Sequence, residues 1–326
     1  MAHAEGVRRT IFAPYHRVSH RKEMKGPGEV DRRGLVVFQC TLGGSNEDHA
    51  ESWSGILAKE KRGDPSMMPD AEHKKAADIL MAAAKERKQA VQLSQSWPNM
   101  TLDDSYAIST EVARRRMAAG AKLIGHKVGL TSKAMQRSSQ IDEPDYGHLF
   151  DDMMIADGAK VAHDRFCRPR VEIELAFIMG KALKGPGVGL AEVLRATEYV
   201  IPAIEIVDAR LQDPRKIFDT VADNGAAAGI VIGGRPVGPL DVDLRWVGGI
   251  MYKNSEIEET GVAAGVLGHP ALGVAWLANK LGSHGVALEP GHLVLAGSFI
   301  RVVLAQKGDT LHADFGALGG IAVQFV

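Results

Sequence analysis

The sequence predicts an α+β fold in which a mixed or antiparallel sheet rolls on itself, with helices packed outside and a helical segment ahead of it. Three observations carry this. Amphipathic helical patterning is concentrated in residues 71–120, short strand-like runs separated by Gly, Pro and Asp follow Gly120, and only two helical stretches interrupt those runs. A doubly wound parallel sheet needs helices over both of its faces, and too few are available.

Each element has a local reason. Helical patterning begins near Ala71, where Ala76, Ala77, Ile79, Leu80, Ala83 and Ala84 form an apolar side opposite Lys, Arg and Glu. A second helix is predicted after Thr101, which can act as its N-cap. Asp104 completes a capping-box-like pair, and Gly120 sits where a C′ glycine belongs. Strands are predicted at residues 123–130, 171–178, 200–207, 230–232, 292–296 and 321–325, and helices at about 190–197 and 271–281. Residues 1–66 mix charges with Gly and Pro and show no sustained period, so they read as a largely disordered extension. Within them, residues 34–42 are the best candidate for a strand. The expected organisation is this extension, a helical segment at 67–120, and a sheet-bearing domain at 121–326.

Bulk properties narrow the function. The 326 residues carry 39 Lys and Arg against 40 Asp and Glu, a net charge of -1, with 6% aromatics. Basic residues are spread rather than striped, which argues against a nucleic-acid partner. Cys40 and Cys167 stand far apart with no CxxC, so neither a disulfide framework nor a zinc ribbon is expected. No apolar run approaches the ~20 residues of a membrane span, and the first residues lack a signal-peptide core. The Arg- and His-rich start has a transit-peptide flavour, against which stand Glu5, Glu23, Glu29 and Asp31. A cytoplasmic protein with a small-molecule ligand is expected.

The strongest chemical signal is Arg170-Val171-Glu172-Ile173-Glu174-Leu175-Ala176-Phe177. Alternate side chains of a strand share a face, so Glu172 and Glu174 project together, ~6.5 Å apart along the backbone. Val171, Ile173, Leu175 and Phe177 take the core-facing side. A second apolar run, residues 199–207, contains one acid, Glu205. Three glutamates from two neighbouring strands make a hard oxygen site suited to Mg²⁺ or Mn²⁺. The competing reading pairs Glu172 and Glu174 with Arg168 and Arg170, as on many solvated strand faces. Both stand at this level.

Other signals are weaker. Lys127, in Ile124-Gly-His-Lys-Val-Gly-Leu130, either reaches solvent at a sheet edge or meets an anionic substrate. Asp145, in Glu143-Pro-Asp-Tyr-Gly147, reads as a cap on a turn. The run 185–189 lacks the spacing of a dinucleotide loop, and no GxxxxGK[ST] occurs. Gly297-Ser298 is not a nucleophile elbow. No HExxH is present, and His126 and His312 read as packed or surface histidines.

Taken together, Gly125-His-Lys-Val-Gly-Leu-Thr-Ser-Lys-Ala-Met135, Glu143-Pro-Asp-Tyr-Gly147, Arg168-Pro-Arg-Val-Glu-Ile-Glu-Leu-Ala-Phe177, Pro202-Ala-Ile-Glu-Ile-Val-Asp-Ala-Arg210, Asp223-Asn224 and the run from Gly268-His-Pro-Ala271 to Trp276-Leu-Ala-Asn-Lys280 resemble the fumarylacetoacetate hydrolase superfamily. Within it they resemble the 2-oxo-enoate hydratases and 4-oxalocrotonate decarboxylases, and in particular the hydratases of 2-oxohept-4-ene-1,7-dioate. The likeness runs from about residue 71 to Val326 and leaves residues 1–66 uncovered.

The resemblance implies a fumarylacetoacetate-hydrolase-like mixed β-roll, homo-oligomeric assembly, a Mg²⁺ requirement and a hydro-lyase of aromatic catabolism. It implies Glu172, Glu174 and Glu205 as metal ligands, and Lys127 and Asp145 as the acid–base and carboxylate-contacting groups. Residues 121–326 then form the catalytic domain. Lys127, Ser298, Arg215 and Lys216 are the candidate substrate contacts, with Arg301 behind them. The activity the resemblance implies is addition of water to 2-oxohept-4-ene-1,7-dioate to give 4-hydroxy-2-oxoheptanedioate. The alternatives are hydration of 2-oxopent-4-enoate or decarboxylation of 4-oxalocrotonate, and an inactive scaffold subunit.

Overall fold

The computed structural model describes residues 67–326 apart from 139; the extension at 1–66 and the strand expected at 34–42 lie outside the described residues. Three helices come first, α1 (Asp70–Glu86), α2 (Leu93–Ser96) and α3 (Leu102–Ala118). Then follow β1 (Leu123–Gly129), α4 (Lys133–Ser138), β2 (Asp145–Phe150), β3 (Met154–Ile155), β4 (Ala159–Val161) and β5 (Pro169–Met179). Next come α5 (Leu190–Ala196), β6 (Thr197–Asp208), α6 (Ile217–Ala222), β7 (Ala227–Ile232), β8 (Gly248–Lys253) and β9 (Glu256–Val262). The chain closes with α7 (Pro270–Ser283), β10 (Leu293–Leu295), β11 (Val303–Leu304), β12 (Thr310–Asp314) and β13 (Gly320–Phe325).

The strands form two mixed sheets. The larger runs β2-β1-β10-β5-β6-β7-β3, with β11 also paired to β5; the smaller runs β4-β13-β12-β8-β9. β1–β10, β3–β7 and β4–β13 pair parallel, and the other pairs are antiparallel. β13 of the smaller sheet packs on β6 and β7 of the larger. One apolar core threads both sheets and α7, with Ile173, Phe177, Ile204, Leu277 and Phe325 fully buried within it.

The predicted capping box is present. Thr101 Oγ1 accepts from the Asp104 N–H at 3.1 Å, and Asp104 Oδ2 accepts from the Thr101 N–H at 2.8 Å. Gly120 follows the end of α3 with φ +104°, and its N–H donates to the Met117 carbonyl. Asp104 also accepts from the Met68 N–H and bonds His73, so the cap of α3 ties down the start of α1.

Three expectations need correction. The Glu143–Gly147 stretch is not a free turn, because Asp145 opens β2, which pairs along β1. Lys127 is not at a sheet edge, because β1 lies between β2 and β10. The close approach of β10 depends on Gly125 (φ +153°), where a Cβ would fall 1.8 Å from the Leu293 carbonyl oxygen. Finally, of the smaller sheet only β13 was predicted; β4, β8, β9 and β12 were not. β9 is exposed or half-exposed throughout, so it has no apolar alternation to read.

The helical segment packs onto the loop after β6. Ala76, Ala77, Leu80, Leu93, Met100 and Ile108 form one buried cluster with Leu211 and Ala222. Gln89 Nε2 donates to the Ala209 and Leu211 carbonyls. Asp219 accepts from the Ser94 N–H and Oγ and from the Lys216 N–H.

Candidate metal centre and active site

β5 and β6 place the three glutamates. They pair antiparallel without a register break from Pro169 to Ile178, and Glu172 stands directly opposite Glu205. Like charges facing each other across a strand pair are destabilising unless something compensates them. Glu174 shares the face of Glu172, and a ligand oxygen from each of the three lies within 4.8 Å of the others. Glu174 and Glu205 are buried, while Glu172 is half-buried.

The salt-bridge alternative fails here. Arg168 and Arg170 both turn to Asp213, at 3.1 and 2.9 Å, rather than to the glutamates. Instead, Glu174 Oε2 accepts the Gly297 N–H at 2.8 Å. Neither carboxylate oxygen of Glu205 meets a hydrogen-bond donor among the described residues. Its ion-pair partner is Lys127, whose Nζ stands 3.8 Å from Oε1.

Lys127 and Asp145 complete the cluster from β1 and β2. Lys127 pairs with Gly147 and Gly129 with Asp145 in the ladder, so both side chains leave the same face. Two glycines make room for them. A Cβ on Gly129 would fall 2.0 Å from Asp145 Oδ1 and 3.0 Å from Lys127 Nζ, and one on Gly225 would fall 3.3 Å from Lys127 Nζ. Gly225 sits between Asn224 and Ala226 in a run of three left-handed residues. Asn224 holds that run in place through both backbone groups of His148.

The electrostatics follow from burial. Four carboxylates, those of Glu172, Glu174, Glu205 and Asp145, meet one ammonium. Burial, then Glu205, pushes the Glu172 carboxyl up to about 7. Burial with the neighbouring glutamates holds Glu174 well above the usual carboxylate range. Burial raises Glu205 and Asp145 as well, each against the pull of Lys127. At Lys127 burial works downward, but Glu205, Asp145, Glu172 and Glu174 together outweigh it, and its pKa is raised. A buried carboxylate excess of this size is costly without a cation. The orphaned oxygens of Glu205 and the all-oxygen donor set fit a hard divalent ion.

The proposed substrate contacts divide. Arg215 and Lys216 line a cavity of about 440 Å³ together with Leu130, the residue after Gly129. Arg215 Nε also donates to Asp213 at 3.1 Å. Ser298 is turned to its own loop, donating to the Ile300 carbonyl at 3.0 Å; the group that reaches the glutamates is the preceding Gly297 N–H. Arg301 is exposed and paired with Glu259. Gly297 and Gly129 escaped sequence reasoning, because a glycine among small and apolar residues looks like any turn glycine until its neighbours are known.

The sequence profile described as "Fumarylacetoacetate (FAA) hydrolase C-terminal" matches residues 117–326. The chain belongs to the fumarylacetoacetate hydrolase family. Within that family it is 54% identical to the 2-oxo-hept-4-ene-1,7-dioate hydratase of Escherichia coli, over 78% of this chain and 98% of that protein. It is 40% identical to the 2-hydroxyhexa-2,4-dienoate hydratase of Comamonas testosteroni, over 76% and 94%. Among solved family structures, 4-oxalocrotonate decarboxylase from Pseudomonas putida G7, complexed with magnesium and adipate, superposes with a TM-score of 0.78 at 32% identity. That match covers 80% of this chain and 99% of the decarboxylase. The fold of the family is therefore the fold expected from sequence.

Proposed function

We propose that this protein is a Mg²⁺-dependent hydro-lyase that adds water to 2-oxohept-4-ene-1,7-dioate, giving 4-hydroxy-2-oxoheptanedioate in the breakdown of aromatic compounds. The observation that carries the reading is Glu172 facing Glu205 across β5–β6, with Glu174 alongside and Lys127 and Asp145 over the same ground. The 54% likeness to a hydratase of that substrate supports the choice within the family.

Glu172, Glu174 and Glu205 would hold the Mg²⁺ (Mn²⁺ is an alternative), and the Gly297 N–H fixes the orientation of Glu174. When bound, the ion supplies Lewis-acid polarisation of a substrate that offers a carboxylate and an adjacent carbonyl oxygen. Lys127 holds a positive charge beside that site, where negative charge grows on the substrate oxygen. Asp145 and Lys127 exchange the two protons of the reaction, one leaving the attacking water and one arriving at carbon. The Gly129 and Gly225 backbones keep both side chains in place. Homo-oligomeric assembly and a cytoplasmic location belong to the same proposal.

The test follows loss of dienoate absorbance by the full chain with Mg²⁺ and after chelation, with the product identified by NMR. A 4-hydroxy-2-oxo acid formed only with the metal is the expected result. A decarboxylated dienol would move the assignment to the decarboxylase reading, which the TM-score of 0.78 to that enzyme supports. No turnover of any five- to seven-carbon oxo-enoate would sink both.

A further inference from the structure

Arg170 stands two residues before Glu172 on an unbroken stretch of β5, so its side chain leaves the same face as those of Glu172 and Glu174. Its Nη2 donates to Asp213 Oδ2 at 2.9 Å. The same carboxylate accepts from Arg168 Nη1 at 3.1 Å and, through Oδ1, from Arg215 Nε at 3.1 Å. One aspartate therefore pins three guanidiniums, each through a single donor of the five it carries. Lys216, which lines the same cavity as Arg215, adds a fourth cation nearby. This local excess of positive charge begins one strand repeat from the buried negative cluster. It is also continuous with the cavity of about 440 Å³ that Arg215 and Lys216 line.

We propose that Arg170, with Arg215 beside it, receives a second carboxylate at the far end of the substrate. Asp213 is the positioning residue that holds the two guanidiniums apart from the glutamates. The inference rests on the hydratase reading above and names the group that selects substrate length. An extended seven-carbon chain spans about 7–8 Å between its end carbons, because each of its ~1.5 Å C–C bonds advances a zigzag chain by only ~1.25 Å. Glu172 and Arg170 are ~6.5 Å apart along the strand. A dioate anchored at the glutamates by its 2-oxo-carboxylate end thus brings its other carboxylate to Arg170. A five-carbon monocarboxylate has no group to place there. A guanidinium offers a planar fork for such a carboxylate, which a lysine does not.

The experiment compares kcat/KM for 2-hydroxyhepta-2,4-diene-1,7-dioate and 2-hydroxypenta-2,4-dienoate in Mg²⁺-loaded wild type, Arg170→Gln, Arg170→Lys and Asp213→Asn. We expect wild type to prefer the dioate. The preference should shrink on the order of 10- to 100-fold in Arg170→Gln, chiefly through KM, and by less in Arg170→Lys. Asp213→Asn, which leaves every arginine in place, should raise KM for the dioate more than it lowers kcat. An undiminished preference in Arg170→Gln, or in Arg170→Lys and Asp213→Asn should the first not fold, overturns the receptor while leaving the hydratase reading intact. Should wild type turn over neither compound, that reading fails, and a second arm decides the receptor. In it, adipate and hexanoate are compared as stabilisers in thermal melts. Greater protection by adipate that vanishes in Arg170→Gln supports the receptor, and equal protection in wild type overturns it.

Discussion

Glu205 shows how much one buried side chain can decide. Among the described residues neither of its oxygens has a partner in hydrogen-bond geometry, and Glu172 faces it across the ladder. In the metal-free protein, Glu205→Gln removes one of the repelling charges, so we expect the melting temperature to hold or rise. The same change should remove most of the stabilisation that Mg²⁺ brings, which for a site filled to a hundred times its Kd is about 2.7 kcal/mol, and turnover should fall with it. A variant that melts lower without metal, yet gains as much from Mg²⁺ as wild type, would contradict the assignment. Asp145→Asn keeps the shape but cannot exchange a proton. A kcat loss on the order of 100-fold or more with metal binding intact is expected, measured as Mg²⁺-saturated turnover beside a metal titration. An unchanged kcat would return Asp145 to a packing role.

At the scale of elements, β1 and β2 carry two buried polar clusters on opposite faces. One face carries Lys127 and Asp145; the other carries His126 and His148, whose rings lie 5.5 Å apart. The glycines of β1 separate stability from chemistry. Gly125→Ala puts a methyl into the Leu293 backbone and should lower the urea midpoint. Gly129→Ala displaces the Asp145 carboxylate instead, and should cost activity more than stability. Equal losses of both in the two variants would show that stability and chemistry are not separable along β1. The histidine face sets an acid limit. Burial lowers His148 to about 4, and burial with its neighbouring histidines takes His126 well below its usual value. A depressed folded pKa means that stability is complete above the unfolded value of ~6.5. It is lost as pH falls from there toward about 4. His148→Asn, which keeps a polar partner for Asn224, should therefore lose less stability than wild type between pH 7.5 and 5. Parallel urea midpoints across that range would count against the account.

At the scale of the whole molecule, the helical segment is a buttress. Its apolar cluster includes Leu211 and Ala222, and Gln89, Ser94 and Asp219 bind it to the loop that carries Asp213, Arg215 and Lys216. Removing residues 1–66 should leave a soluble, active enzyme. The match covers 98% of the Escherichia coli hydratase but 78% of this chain, so that protein has almost nothing left over to correspond to the remaining 22%. Removing residues 1–120 should instead expose the cluster and abolish activity. Activity, solubility and column size of both truncations test this, and insoluble protein from the shorter deletion would show that the first 66 residues are needed.

What the sequence by itself determined is local or periodic. The capping box at Thr101 and Asp104, the C′ glycine at 120 and the alternation that sets Glu172 and Glu174 on one face are all written within a few neighbouring residues. The lone acids on two apolar runs raised the metal reading of Glu172, Glu174 and Glu205, and the likeness along residues 168–177 and 202–210 favoured it over salt bridges to Arg168 and Arg170. What only the tertiary structure decided depends on partners far apart in the chain. Alternation cannot say that Glu172 meets Glu205, because register depends on how β5 and β6 pair. The sequence left Arg168 and Arg170 open as partners of the glutamates. The loop after β6 brings Asp213 to them and so draws both guanidiniums away from the glutamates. Lys127 became a buried charge rather than an edge lysine because β10 joins β1 from nearly 170 residues away. β9 stayed invisible because a strand exposed or half-exposed throughout buries too little to imprint a period on its sequence.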